Sequence, residues 1–238
     1  MSSTERDTDP AVEAARYAVL RRIGPALRHD LVVNLQALAM MAEVLSTRLE
    51  RLPADPAPGD AHLASHLTRL HRLARQAVAN SLQVAQWISP DDDDTIELHQ
   101  GLHEVLDLVR SSFGFRGFAL QLQDAATAEE FTVPHDRLRH LVLAALIHMA
   151  DEAPATGILR VCGWIQDDQA CIRLDLETVA GPDAPARLLP DLGYRALSWA
   201  DVQALAGDAP PRRQPDPPRI LLRLPRERAL SPLGMAPR

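Results

Sequence analysis

Apolar residues recur at alternating intervals of four and three along two long stretches, and no other feature narrows the possible folds as much. From Leu20 the positions run Leu20, Ile23, Leu27, Leu31, Leu35, Leu38, Ala42, Leu45, Leu49 and Leu52. Beyond Leu31 this is a heptad seam, the pattern of a helix packed along other helices. From Ile23 to Leu35 the intervals are four, four and four, a stutter that locally unwinds such a helix relative to its supercoil. The run LPADPAPGD, Leu52 to Asp60, then breaks the helix with three prolines and a glycine. After it, Leu63, Leu67, Leu70, Ala74, Ala77, Ser81, Val84 and Ile88 resume the same spacing. The pattern predicts an antiparallel helical hairpin over residues 12–90. Two helices with one narrow seam each cannot bury both sides alone, so a homodimer forming a four-helix bundle is expected.

The acidic run Asp91 to Asp94 follows, read as a solvated linker and domain boundary rather than a divalent-ion site, because consecutive carboxylates cannot all face one ion. From 95 to 226 the wording alternates. Short strands are predicted at Thr95 to Leu98, Phe118 to Gln123 and Glu130 to Val133, and helices at His99 to Ser112 and His135 to Glu152. Ile158 to Ile165 and Ala170 to Leu176 read as a hairpin, followed by a helix from about Ala196 to Leu205 and a strand Arg219 to Leu224. Helices clustered against a mixed sheet make an α/β sandwich, so the chain as a whole is expected to be α+β. The tail after Arg226 is expected to be loose.

Composition removes several classes of function. Hydrophobic residues make up 46% of the 238, but aromatic ones only 4%, which favours helix packing over an all-β sandwich. The formal charge of -7 provides no global basic field, so nucleic acid is not an expected partner. No run reaches the roughly 20 apolar residues of a membrane span, and MSSTERDTDP lacks an apolar signal core, so no membrane association and a cytoplasmic location are expected. Cys162 and Cys171 read as two buried thiols in a reducing compartment: with the hairpin turn at Asp167-Asp168, Cys162 faces Arg173.

The stretch RHDLVVNLQAL, from Arg28 to Leu38, carries a histidine, an aspartate and a leucine at 29, 30 and 31. In this setting it resembles the phosphoacceptor motif of bacterial two-component histidine kinases. The resemblance covers about Ala26 to Arg226: a dimerising hairpin followed by a sandwich similar to the histidine kinase ATPase (Bergerat) fold. Asn34 replaces the proline common in that family five residues after the histidine. The helix LRHLVLAALIHMADEA looks like the family's nucleotide-binding helix, but Ala144 and His148 stand at the asparagine positions. After ACIRLDLE the family has Asp-x-Gly-x-Gly; here the wording is ETVAGPDAP, with Thr178 near the aspartate position and only Gly181 left. The later glycine-rich phosphate loop is reduced to LGYRAL, with Gly193 alone. The resemblance therefore implies a kept fold with ATP binding lost, as in histidine phosphotransferases, and no cofactor of the chain's own.

His29 lies two residues from both Leu27 and Leu31, roughly 200° round the helix from the seam, and so is expected in solvent. A neutral imidazole nitrogen there can attack phosphorus in line. Asp30 is the candidate orienting group or base, with Arg22, Arg28 and Asn34 as partner-binding residues. Asn34 reads equally well as a register-setting polar residue near the seam. The expected partners are response regulator receiver domains, which would bring the magnesium and the acceptor carboxylate. Three readings follow, in order: a phosphohistidine relay, a kinase-like scaffold with an idle histidine, and a divergent ATP-dependent kinase. His62 and His66, and His99 and His103, each stand four apart, but no third ligand is spaced for zinc.

Overall fold

Helix α4, His135–Glu152, carries thirteen consecutive buried residues, from Leu138 to Ala150. A helix apolar on one stripe needs one neighbour, whereas one buried all round needs neighbours on every side. The computed structural model, which describes residues 9–50, 61–88, 94–123, 131–179 and 195–226, shows what surrounds it. The Leu52 to Asp60 loop, Asp91 to Asp93, Gly181, Gly193 and the tail after Arg226 lie outside the described residues, as do the side chains at 30, 48–50, 61–64, 83 and 88.

Two long helices come first, α1 (Pro10–Glu50) and α2 (Ala61–Ile88). Then follow β1 (Thr95–Glu97), α3 (Leu98–Phe115), β2 (Phe118–Gln123), β3 (Thr132–Pro134), α4, β4 (Gly157–Gln166), β5 (Gln169–Thr178), α5 (Trp199–Ala206), β6 (Arg212–Pro215) and β7 (Pro218–Pro225). The main sheet has the order β2-β4-β5-β7-β6, parallel between β2 and β4 and antiparallel elsewhere; β1 and β3 form a separate antiparallel pair. This is the expected fold class: a pair of long helices, then a mixed sheet with helices.

The β4–β5 hairpin turns on Asp167 and Asp168, both at positive φ (52° and 56°), the conformation a two-residue turn needs to match the strand twist. It sets the register that places Cys162 opposite Arg173. Strand β6 was not expected: its neighbours include several prolines, which punctuate a sequence like a loop. An edge strand tolerates them, and β6 is exposed throughout.

Two compact units divide the chain, one of residues Gly24–Pro90 and the other of Asp91–Arg238 together with α1 through Ile23. The first unit thus begins later than the expected residue 12. The early turns of α1 bury Ala15, Ala18, Val19 and Ile23, and Arg16 reaches Asp136 of α4 at 2.9 Å. They belong to the sheet unit because the Ala-Val-Ile stripe and the arginines both have partners there.

Within the sheet unit, α3 lies so close to α4 that a Cβ on Gly101 would meet Leu138 Cδ2 at 2.3 Å and Ile96 Cγ2 at 3.0 Å. Helix α5 begins with a capping box: Asp201 accepts from the Ser198 N–H at 2.7 Å and Oγ–H at 2.8 Å, while Arg195 donates to both its oxygens at 2.6 and 2.7 Å. Burial alone would raise the Asp201 pKa; the Arg195 fork and the Ser198 donors outweigh it and hold it down at about 2.

Two outcomes are expected. Gly101→Ala, whose methyl has no room in a core where Leu138 is fully buried, should cost about 1–3 kcal/mol by urea unfolding. Because the Asp201 pKa is depressed, its stabilisation is present above the ordinary carboxylate range and lost as pH falls toward about 2. Asp201→Asn should therefore lower the urea midpoint at neutral pH and flatten its decline between about pH 4 and 2.

Candidate functional site

From Leu27 onward, α1 presents a buried stripe and an exposed back. Leu27, Met41 and Leu45 are buried, with Leu31 and Leu38 half-buried. The stripe runs through Met41 rather than the expected Ala42, which is exposed, and Leu35 is 55% exposed. His29 and Arg28 are exposed, on the side away from Leu27, as the 100° step between residues requires. Asn34 is half-buried. The side chain of Asp30 is outside the described residues, so its contact with His29 remains an expectation.

Arg22 is corrected. Rather than flanking His29 as a partner-binding cation, it is only 5% exposed and donates from Nη1 and Nη2 to Asp151 Oδ2 and Oδ1 at 2.7 and 2.8 Å. Arg116 donates to the same Asp151 Oδ1 at 2.5 Å. A bidentate fork on a half-buried carboxylate is an internal anchor of the sheet unit. Position in the sequence had placed Arg22 near the histidine; a carboxylate 129 residues away determines its role.

One feature near the histidine went unread in the sequence. Gly24 and Pro25 sit inside α1, just where the chain passes from one unit to the other. Pro25 has no N–H, so the Arg21 carbonyl loses its helical donor one turn before His29. A Cβ on Gly24 would meet no atom within 4 Å apart from its chain neighbours, but in a helix it would crowd the Cδ of Pro25. The Gly-Pro dipeptide is a strong punctuation signal that the heptad spacing masked.

In the sheet unit, the two α4 positions expected from the resemblance to stand where asparagine would be, 144 and 148, are closed off. Ala144 is fully buried. His148, 2% exposed, has Nδ1 3.4 Å from the Leu197 carbonyl oxygen and Nε2 3.3 Å from Arg213 Nη1, which also donates to Glu152 Oε2 at 2.9 Å. With Nδ1–H given to the carbonyl, Nε2 is the acceptor for Arg213, a tautomer inferred from these partners. The His148 ring lies 5.8 Å from Trp199, over which the Arg213 guanidinium sits at 5.7 Å. Beside this cluster is a cavity of about 250 Å³ whose walls include Met149, Ala153, Leu176 and Ile220. Its histidine has both nitrogens engaged by the protein.

Two further histidines of the sheet unit have structural partners. His135 stands between Asp94, at 2.8 Å from Nδ1, and Glu104, at 3.3 Å from Nε2, so the last aspartate of the acidic run ties the linker to α4. His99 lies 3.4 Å from Glu97, the residue that caps α3. Trp87 is buried on α2, and Trp164 lies under the Arg173 guanidinium at 5.8 Å. Among the described residues no group of three or more His, Cys, Asp or Glu side chains is placed to hold a metal ion, and no helix is long and apolar enough to cross a membrane.

Neither a protein-family model nor a curated protein matches the sequence. Solved structures do match. The chain is similar to the Acinetobacter baumannii histidine kinase AdeS at 13% identity and a TM-score of 0.41, over 84% of this chain and 98% of that one. A histidine kinase from Burkholderia phymatum is 16% identical with a TM-score of 0.40, over 82% and 96%. The histidine kinase ThkA, in complex with the response regulator protein TrrA, is 12% identical with a TM-score of 0.41, over 92% and 68%. All three are histidine kinases.

Gly24→Ala, in contrast to the same change at Gly101, should shift stability by less than about 1 kcal/mol by urea unfolding, because the helix propensity it adds is offset by crowding of the new Cβ against Pro25 Cδ.

Proposed function

We propose that this chain is a homodimeric histidine phosphotransferase of two-component signalling, which relays a phosphoryl group between response regulators in the cytoplasm without binding ATP. The observation that carries this reading is the contrast between two histidines. His29 projects from a helix face into solvent, and His148 is locked into an internal cluster at a position where a nucleotide-binding relative needs a metal-bridging amide.

In the forward step, a neutral ring nitrogen of His29 attacks the phosphorus of a receiver's aspartyl phosphate. The N–P bond forms as the P–O bond to the aspartate breaks, and the aspartate leaves as carboxylate. The return step runs the same exchange onto a second receiver. Asp30 orients the imidazole through its other nitrogen, and Arg28, exposed beside it, meets the phosphoryl oxygens or the acidic rim of the receiver. Asn34 contributes to the partner-binding surface. Magnesium, held by the receiver, neutralises the phosphoryl oxygens during transfer.

Dimerisation accounts for the apolar residues that one chain leaves in water. Leu35, Met40, Leu67, Val78 and Leu82 are each more than half exposed on α1 and α2, the pattern expected of a seam completed by a second copy.

The test is acid-labile label transfer from phosphorylated response regulators of the same cell to the purified chain, with His29→Gln in parallel and a separate arm supplied with ATP alone. Label should reach the wild type from a regulator, fall by at least about a hundredfold in the variant, and not arrive from ATP. Transfer from no regulator would leave the scaffold reading in its place, and labelling from ATP alone would establish a kinase.

A further inference from the structure

The main sheet has two unlike faces. On one, Leu159, Val161, Ile172, Leu174, Leu222 and Leu224 are buried beneath the helices. The other follows from the cross-strand register, since residues directly opposite each other point to the same side. Arg160 stands opposite Asp175, and Asp175 opposite Arg219. One row further, Cys162 is opposite Arg173, and Arg173 opposite Leu221, which Arg212 of β6 faces in turn. The next row is Trp164, Cys171 and Arg223. Glu177, opposite Ile158, completes the charged set. Five arginines and two carboxylates thus share one sheet face in a chain whose formal charge is -7.

These arginines are available to a visitor. The side chains of Arg160, Arg173 and Arg219 are 31%, 36% and 40% exposed, and Arg212 is exposed at the sheet edge. Asp175 is approached by Arg173 Nε at 2.8 Å and receives Arg219 Nε at 2.5 Å, so neither contact uses the terminal nitrogens of those forks. Arg160 pairs with Glu177. The two carboxylates are therefore spent on arginines that keep further donors, while among the described residues no ion pair joins Arg212 or Arg223 to a carboxylate. A depression of about 580 Å³ opens among Arg160, Arg173, Arg219 and Gln123, with Asp175, Glu177 and Asp216 also on its walls.

We propose that this open sheet face is a docking surface for an acidic polypeptide segment. Arginine forks match carboxylates in a planar, bidentate way, and their long flexible stems let forks from neighbouring strands converge on the carboxylates of one extended chain. Asp175 and Glu177, set within the array, would lie against the dense phosphates of a nucleic acid, one charge per roughly 1.7 Å, whereas sparser side-chain carboxylates can avoid them. The half-buried Trp164 beside Arg173 and Leu221 beside Arg212 supply the apolar and aromatic contacts common in protein interfaces. The proposal stands independently of His29.

The test uses the full chain and a fluorescein-labelled decaglutamate peptide, with binding read by anisotropy at low salt and again at about 0.15 M. Wild type should bind, with affinity falling as salt rises. Arg160→Glu, Arg212→Glu and Arg223→Glu together should weaken binding at least about tenfold. The charge-matched set Arg69→Glu, Arg72→Glu and Arg75→Glu on the exposed side of α2 should leave it within about twofold. Arg212→Gln, a change at an exposed edge residue, should alone weaken binding measurably and guards against misfolding of the triple variant. No binding by wild type, equal loss in both sets, or loss only in the α2 set would overturn the proposal. So would tighter binding of a single-stranded RNA or of phosphatidylserine vesicles through the same arginines.

Discussion

Two carboxylates at opposite ends of α4 hold together elements that lie far apart in the chain. Asp136 takes Arg139 at 2.7 Å, His140 at 3.1 Å and Arg16 at 2.9 Å; Asp151 takes Arg22 and Arg116. Burial works against the charged form of Asp136, yet His140 and Arg139 outweigh it and keep its pKa well below the usual carboxylate range. Partly buried ion pairs of this kind add little net stability over apolar packing, because desolvation offsets most of the attraction. Their contribution is direction: removing one partner leaves a charge stranded, so only one seating of the first turns of α1 on α4 satisfies all of them. The apolar stripe Ala15, Ala18, Val19 and Ile23 provides the adhesion, and the arginines decide the register.

The same side chain takes different roles according to what surrounds it. His148 gives both nitrogens to the protein and stacks near Trp199; His140 turns back on Asp136; His135 sits between Asp94 and Glu104. His29 is set on an exposed helix face, as His71 and His103 are among the described histidines. In the proposed relay the acceptor has to be reached by another protein, so exposure is a requirement of that proposal. At positions 144 and 148, α4 carries a buried methyl and a ring already committed to internal partners. Helix α4 is held by its apolar contacts and its two terminal carboxylates, neither of which depends on a bound ligand.

The sheet shows how one register produces two chemistries. The Asp167-Asp168 turn sets the pairing of β4 with β5, and a slip of one residue would carry Leu159, Val161, Ile172 and Leu174 to the open side. Burial of those four residues therefore also places Arg160, Arg173 and Asp175 on the opposite face.

Local periodicity determined much of this protein without help from the fold. The heptad spacing marked both long helices, the unbroken apolar run marked α4, and the polar pair between alternating segments marked the β4–β5 turn and its register. The exposure of His29 followed from its angle to Leu27 and Leu31. Tertiary structure decided what depends on partners distant in sequence. Arg22 became an internal anchor because Asp151 lies beside it, α1 was divided between units at Ile23 because its first turns have their own core, and β6 became a strand because β7 offered an edge. His148 became unavailable only once Leu197, Trp199 and Arg213 were brought around it. Periodicity records which face of an element is apolar; the identity of the residue that meets that face is set by chain crossings that no local spacing encodes.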